Sequence, residues 1–90
     1  MMAFRREKPI PISVHTPAYR TFLNHLRKQR EAVGISQREL GRRLGKHHDY
    51  VNKCESGERQ LNIVELKDWC DALGVAWVVF LTEMEAEWQK

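Results

Sequence analysis

Ser36-Gln37-Arg38-Glu39-Leu40-Gly41-Arg42-Arg43-Leu44-Gly45-Lys46-His47-His48-Asp49-Tyr50-Val51-Asn52-Lys53-Cys54-Glu55-Ser56-Gly57 is the stretch that decides how this chain reads. Ser36 and Glu39 stand at capping-box spacing: the serine hydroxyl is expected to accept from the third helical N–H, and Glu39 to reach back to the cap. Leu40 and Leu44 give the following helix one apolar face, and Gly45 ends it after barely two turns. After a tight connection at Gly45-Lys46, Tyr50, Val51 and Cys54 recur at helical spacing, which predicts a helix from about His48 to Ser56 that Gly57 stops. Helices this short are stable only when packed against others.

Outward from this pair the pattern stays helical. Towards the N-terminus, Thr16-Pro17 reads as a helix start, with the Thr16 hydroxyl as cap and Pro17 where a missing N–H costs nothing. Phe22, Leu23, Leu26 and Val33 follow at three- and four-residue spacings until Gly34. Towards the C-terminus, Asn62 and Glu65 form a second capping box, and Ile63, Leu66, Trp69, Cys70 and Leu73 form an inner face that closes at Gly74. The segment from Ala76 to Trp88 predicts a further helix. It is apolar over more than one narrow face, so part of it, namely Trp77, Phe80, Met84 and Trp88, is expected to be covered by a second copy of the chain across a twofold axis. Residues 1–15 carry Arg5, Arg6, Lys8, Pro9 and Pro11, and the prolines deny them a helix, so they read as an arm. The expected fold is all-α, five helices in one domain over residues 16–90, preceded by a non-helical N-terminal arm.

Charge is unevenly spread. Residues 1–60 hold 13 Lys and Arg against 6 Asp and Glu, whereas residues 61–90 hold 2 against 6. A basic front joined to an acidic end suits a protein with one surface turned to a polyanion. No run approaches the roughly 18 apolar residues of a membrane helix, and the start Met-Met-Ala-Phe-Arg-Arg-Glu-Lys lacks the apolar core of a secretory signal, so a cytoplasmic location is expected. Cys54 and Cys70 fall on apolar helix faces and read as small buried hydrophobes. His47-His48-Asp49 does not give the paired spacing of a zinc site, and no phosphate loop, nucleophile elbow or enclosed carboxylate pair is legible. Neither enzyme activity, metal nor cofactor is expected.

Two short helices joined by a tight, glycine-containing turn fit the helix-turn-helix arrangement, in which the first helix braces the second and the second lies in the DNA major groove. The second helix divides accordingly. Val51 and Cys54 would point inward, leaving His48, Asp49, Asn52 and Lys53 outside with groups suited to base edges and phosphates. Arg38, Arg42, Arg43 and Lys46 are candidates for phosphate contact, as are Ser56 and Arg59 just after the reader.

From Leu26 to Leu81 the sequence resembles the Cro and lambda-repressor type of helix-turn-helix domain, also called the xenobiotic-response-element family. The resemblance is carried by Leu26, Arg30, Gly34, Ser36-Gln37-Arg38-Glu39-Leu40, Leu44-Gly45, the run from Tyr50 to Arg59, and Ala72-Leu73-Gly74-Val75. It implies that Gln37 bonds a phosphate and steadies His48, the first reader residue, where the family often has a glutamine. It implies that Asp49 and Lys53 are the other principal base-reading positions, and that Arg30 and Glu55 form a buried structural salt bridge. His47 departs from the serine or threonine that usually caps this helix, so the helix is expected to begin at a shifted residue or to fray. The resemblance implies sequence-specific binding to double-stranded DNA by a transcriptional regulator, expected to be a repressor acting as a homodimer on a palindromic operator. The rival is an antitoxin or phage regulatory protein whose main partner is another protein, such as a toxin.

Overall fold

Local signals set the helix boundaries. The Thr16 hydroxyl accepts from Tyr19 N–H at 3.2 Å to start α1 (Pro17–Val33), and Ser36 Oγ accepts from Glu39 N–H at 3.0 Å to start α2 (Gln37–Leu44). α3 (Tyr50–Glu55), α4 (Ile63–Leu73) and α5 (Trp77–Trp88) complete the described residues, 16–90, of this computed structural model. The all-α, five-helix class is therefore as the sequence predicts, while the arm at residues 1–15, with Arg5 and Arg6, lies outside the described residues. Asn62 and Glu65 make the full reciprocal capping box of α4, each bonding the other's backbone N–H. At α2 only half of the expected box forms, because the Glu39 carboxylate turns instead to Arg42 and Arg43.

α3 begins two residues later than the spacing suggests. Asp49 holds the cap position but its side chain bonds no helical N–H, and the Tyr50 N–H closes a turn onto the His47 carbonyl at 3.0 Å. Ser56 ends the helix as its C-cap. Six helical residues cannot sustain themselves in water, so α3 exists because Tyr50, Val51 and Cys54 are buried.

The core joins Leu23 and Leu26 of α1, Leu40 of α2, these three α3 side chains, Leu66, Trp69, Cys70 and Leu73 of α4, and Phe80 and Met84 of α5. α2 packs on α3 and α4, while α1 touches α3, α4 and α5. Full burial of each large apolar side chain contributes roughly 1.5–3 kcal/mol. Cys54 and Cys70 are fully buried, as their place on apolar faces predicts. Val33 and Ile63, read as inward from their spacing, stand at helix ends beyond the core and are 39% and 64% exposed.

α5 requires a larger correction. Phe80 and Met84, expected at a dimer interface, are 1% and 2% exposed within a single chain. Trp77 packs against the same core, and Trp88, although half exposed, donates its indole N–H to the Ala18 carbonyl at 3.0 Å. These four share one face of the helix, and that face closes on the rest of its own chain. The outward face carries Val78, Val79 and Leu81. His25 of α1 is also buried in this seam, its ring 4.6 Å from that of Phe80, with no hydrogen bond at either nitrogen and Glu83 4.0 Å from Nε2. Burial lowers its pKa.

No described helix is long and apolar enough to cross a membrane.

Candidate nucleic-acid interface

The brace of the reader helix is a buried ionic hub. Arg30 grips Glu55 with two bonds, Nε to Oε2 at 2.7 Å and Nη2 to Oε1 at 3.1 Å, and its Nη1 donates to the Ile35 carbonyl at 2.9 Å. Both side chains are at least nine-tenths buried, and the bond from Glu55 raises the Arg30 pKa further above its already high value. Arg30 and Glu55, the pair for which the resemblance implies a structural salt bridge, thus meet directly: the Arg30 guanidinium, at the end of α1, ties the loop before α2 at the Ile35 carbonyl to the end of α3 at the Glu55 carboxylate.

Gln37 extends the hub. Its Nε2 donates to Glu55 Oε1 at 2.9 Å, and its Oε1 accepts from Asn52 Nδ2 at 3.4 Å. The bonds that Gln37 makes here go to Glu55 and Asn52 of α3, where the resemblance implied His48 as its partner. Gly41, which the sequence reading passed over, lies close against the start of the reader: a Cβ there would meet the His47 carbonyl at 3.4 Å and a Val51 methyl at 3.9 Å, which leaves room for a methyl group and for nothing larger. Gly45, at φ 69°, then turns the chain out of α2, with Lys46 N–H bonded to the Gly41 carbonyl at 2.9 Å.

Of the four residues read as base contacts, His48, Asn52 and Lys53 are exposed and Asp49 is half-buried. They are not independent. The Asp49 carboxylate meets His47 Nδ1 at 2.7 Å and Lys53 Nζ at 3.3 Å. A carboxylate only accepts, so Nδ1 carries the proton of that bond. The hydrogen bond from His47, followed by that from Lys53, lowers the Asp49 pKa. The His47 and His48 rings lie 4.2 Å apart at 38°. His47, read as a poor cap and as no zinc ligand, is instead the bonding partner of this carboxylate. The missed signal was its position two residues before an aspartate that cannot cap while it is otherwise engaged.

The phosphate candidates separate by what already holds them. Arg38 and Arg42 are exposed on α2, Arg42 sharing the Glu39 carboxylate with Arg43, and these bonds bring the Glu39 pKa down to about 2. Two arginines on one carboxylate leave net positive charge at the surface. Arg43 also donates to the Ala72 carbonyl at 3.0 Å, which turns its guanidinium to α4. Lys46 lies over the Tyr50 ring, 5.3 Å from its centroid. Arg59 is held in the fold by Glu65 at 2.7 and 3.1 Å and by the same Tyr50 ring at 5.0 Å. The Ser56 N–H and hydroxyl are spent on the Asn52 and Lys53 carbonyls. Arg59 and Ser56 are thus engaged within the chain, whereas Arg38, Arg42 and Lys46 are exposed cations.

A short helix braced across a second one, with a buried apolar face and an exposed polar edge flanked by cations, defines the class of helix-turn-helix DNA-binding domains. A helix-turn-helix family model matches residues 26–80, and the chain belongs to the XRE-type helix-turn-helix family of DNA-binding transcriptional regulators. Among solved structures, the chain is similar to an XRE-family like protein from Pseudomonas syringae pv. tomato str. DC3000, with 37% identity and a TM-score of 0.72 over 81% of this chain and 91% of that one. It also resembles the restriction-modification controller protein C.Esp1396I in fold, with 24% identity and a TM-score of 0.77 over 84% of this chain and 100% of that one. No curated protein matches the sequence significantly.

Proposed function

We propose that this regulator is a repressor that binds a palindromic operator as a homodimer, reading each half-site with α3. The observation that carries the reading is the division of α3 itself. Tyr50, Val51 and Cys54 anchor it in the core, while His48, Asn52 and Lys53 stand exposed along one edge beside Asp49, braced by Gln37 and Glu55. Lys53 suits guanine, Asn52 suits adenine, and Arg38, Arg42 and Lys46 suit the flanking phosphates. Dimerisation is assigned to the outward face of α5, where Val78, Val79 and Leu81 leave apolar surface exposed that Phe80 and Met84 cannot supply. Two copies would set their readers about 34 Å apart, one helical turn of DNA. Repression would follow from occupying a promoter and excluding polymerase.

Selection from randomised duplex DNA at stated salt tests this reading. The expected product is a palindrome with half-sites roughly 10 base pairs apart. Retention of only a salt-sensitive, sequence-independent pool would reject operator reading and favour the rival in which another protein is the main partner. Sedimentation equilibrium of wild-type and Val78→Glu protein tests the assembly, the substitution being expected to yield monomer.

A further inference from the structure

We propose that His47 is a positioning residue of the reader: it holds the Asp49 carboxylate, which holds the Lys53 ammonium, so that base preference beneath Lys53 depends on a ring that touches no base. The inference rests on α3 being the DNA reader. Its starting point is the chain of contacts from His47 Nδ1 to Asp49 Oδ1 at 2.7 Å and from Asp49 Oδ2 to Lys53 Nζ at 3.3 Å. The two partners meet different oxygens of the carboxylate. Asp49 is thereby fixed as a hub between two donors, and its work is to orient a cation instead of accepting from cytosine.

Lysine needs such a hub more than arginine would. Its ammonium is a point charge on a flexible four-carbon stem, without the planar fork that matches guanine by shape alone. An unrestrained Lys53 would reach phosphate oxygens as readily as guanine N7 and O6, and ordering it on contact would cost rotamer entropy. Asp49 is the i−4 neighbour of Lys53 on the helix surface, and a carboxylate N-terminal to a lysine at that spacing is the favourable orientation. What sets the carboxylate is His47, just before the helix and backed by the His48 ring at 4.2 Å. The charged neighbours are Lys46 before it and Asp49 and Lys53 after it. His47, Asp49 and Lys53 side chains are 69%, 42% and 47% exposed, so the chain of contacts adds little to stability and its purpose is sought in binding.

The test is selection from randomised duplex by the full chain and its His47→Ala, His47→Asn and Lys53→Ala variants, each checked for thermal unfolding. Asparagine places an amide N–H near the site of Nδ1, and so keeps the donor without the ring. The expected result is that Lys53→Ala relaxes guanine preference at one base pair, and His47→Ala weakens it at that same pair by about three- to tenfold. Other pairs should keep their preferences, the melting temperature should stay within a few degrees, and His47→Asn should retain the wild-type preference. The inference is overturned if His47→Ala reproduces the wild-type motif, if it lowers affinity evenly for all sequences, or if His47→Asn behaves as His47→Ala. A wild-type chain that selects no motif overturns the DNA-reading function itself and the inference with it, which separates the two failures.

Discussion

Arg30→Ala probes the hub on which the reader helix stands. The substitution removes both bonds to Glu55 and the bond to the Ile35 carbonyl, and leaves a carboxylate whose side chain is 5% exposed with Gln37 as its remaining partner. A buried charge stripped of its counter-ion costs roughly 3–5 kcal/mol, a large share of the roughly 5–13 kcal/mol expected for a domain of this size. One kcal/mol corresponds to about 4–8 °C in a domain this small, so the melting temperature should fall by about 12 °C or more. Urea denaturation followed by far-UV circular dichroism measures the loss directly. Replacing both partners, as Arg30→Met with Glu55→Leu, should cost less than Arg30→Ala alone, because neither charge is then left buried. An Arg30→Ala protein within 1 kcal/mol of wild type, or a double variant that sums the two single losses, would refute the claim that an uncompensated charge is the cause.

Three further outcomes are expected. Lys53→Ala should lower discrimination by about 1–3 kcal/mol at a single base pair, whereas Arg38→Ala should weaken binding to all duplexes alike and reduce the salt slope by about 1; salt titrations on cognate and random DNA distinguish them. His25 is held neutral by burial, so the unfolded chain takes up its proton first as pH falls through about 6.5; stability is full above that value and declines below it, and His25→Phe should remove that part of the decline in urea midpoints measured from pH 7.5 to 5.5. Gly41→Ala should be tolerated, since its Cβ would meet the His47 carbonyl at ordinary contact, and helix propensity would then favour alanine by up to about 1 kcal/mol; Gly41→Leu should instead cost about 1–3 kcal/mol by pushing α3 away, with circular dichroism melts as the readout.

Much of the molecule is legible before any coordinates. Capping signals at Thr16, Ser36 and Asn62 and the stops at Gly34, Gly45 and Gly74 mark α1, α2 and α4 to the residue, because each is a local bond between neighbours in the chain. The inward places of Leu26, Leu40, Val51, Cys54 and Cys70 follow from helical period alone. α3 is less legible. Its start depends on where Asp49 spends its carboxylate, and that choice between a helical N–H and two side chains is not written in spacing.

Sequence by itself determined that five helices would form, that two short ones would pair through a tight turn, and that a polar edge would remain on the second. Period, caps and glycine stops act over three or four residues, and a chain of this composition has few other ways to satisfy them. Only the tertiary structure decided what each polar group is spent on. It turned Gln37 to Glu55 and Asn52, held Arg59 on Glu65, and closed Trp77, Phe80, Met84 and Trp88 onto their own chain, leaving Val78, Val79 and Leu81 outside. An apolar or charged side chain carries the same chemistry toward a neighbouring helix, a second copy or DNA, and distance in the folded chain selects among them.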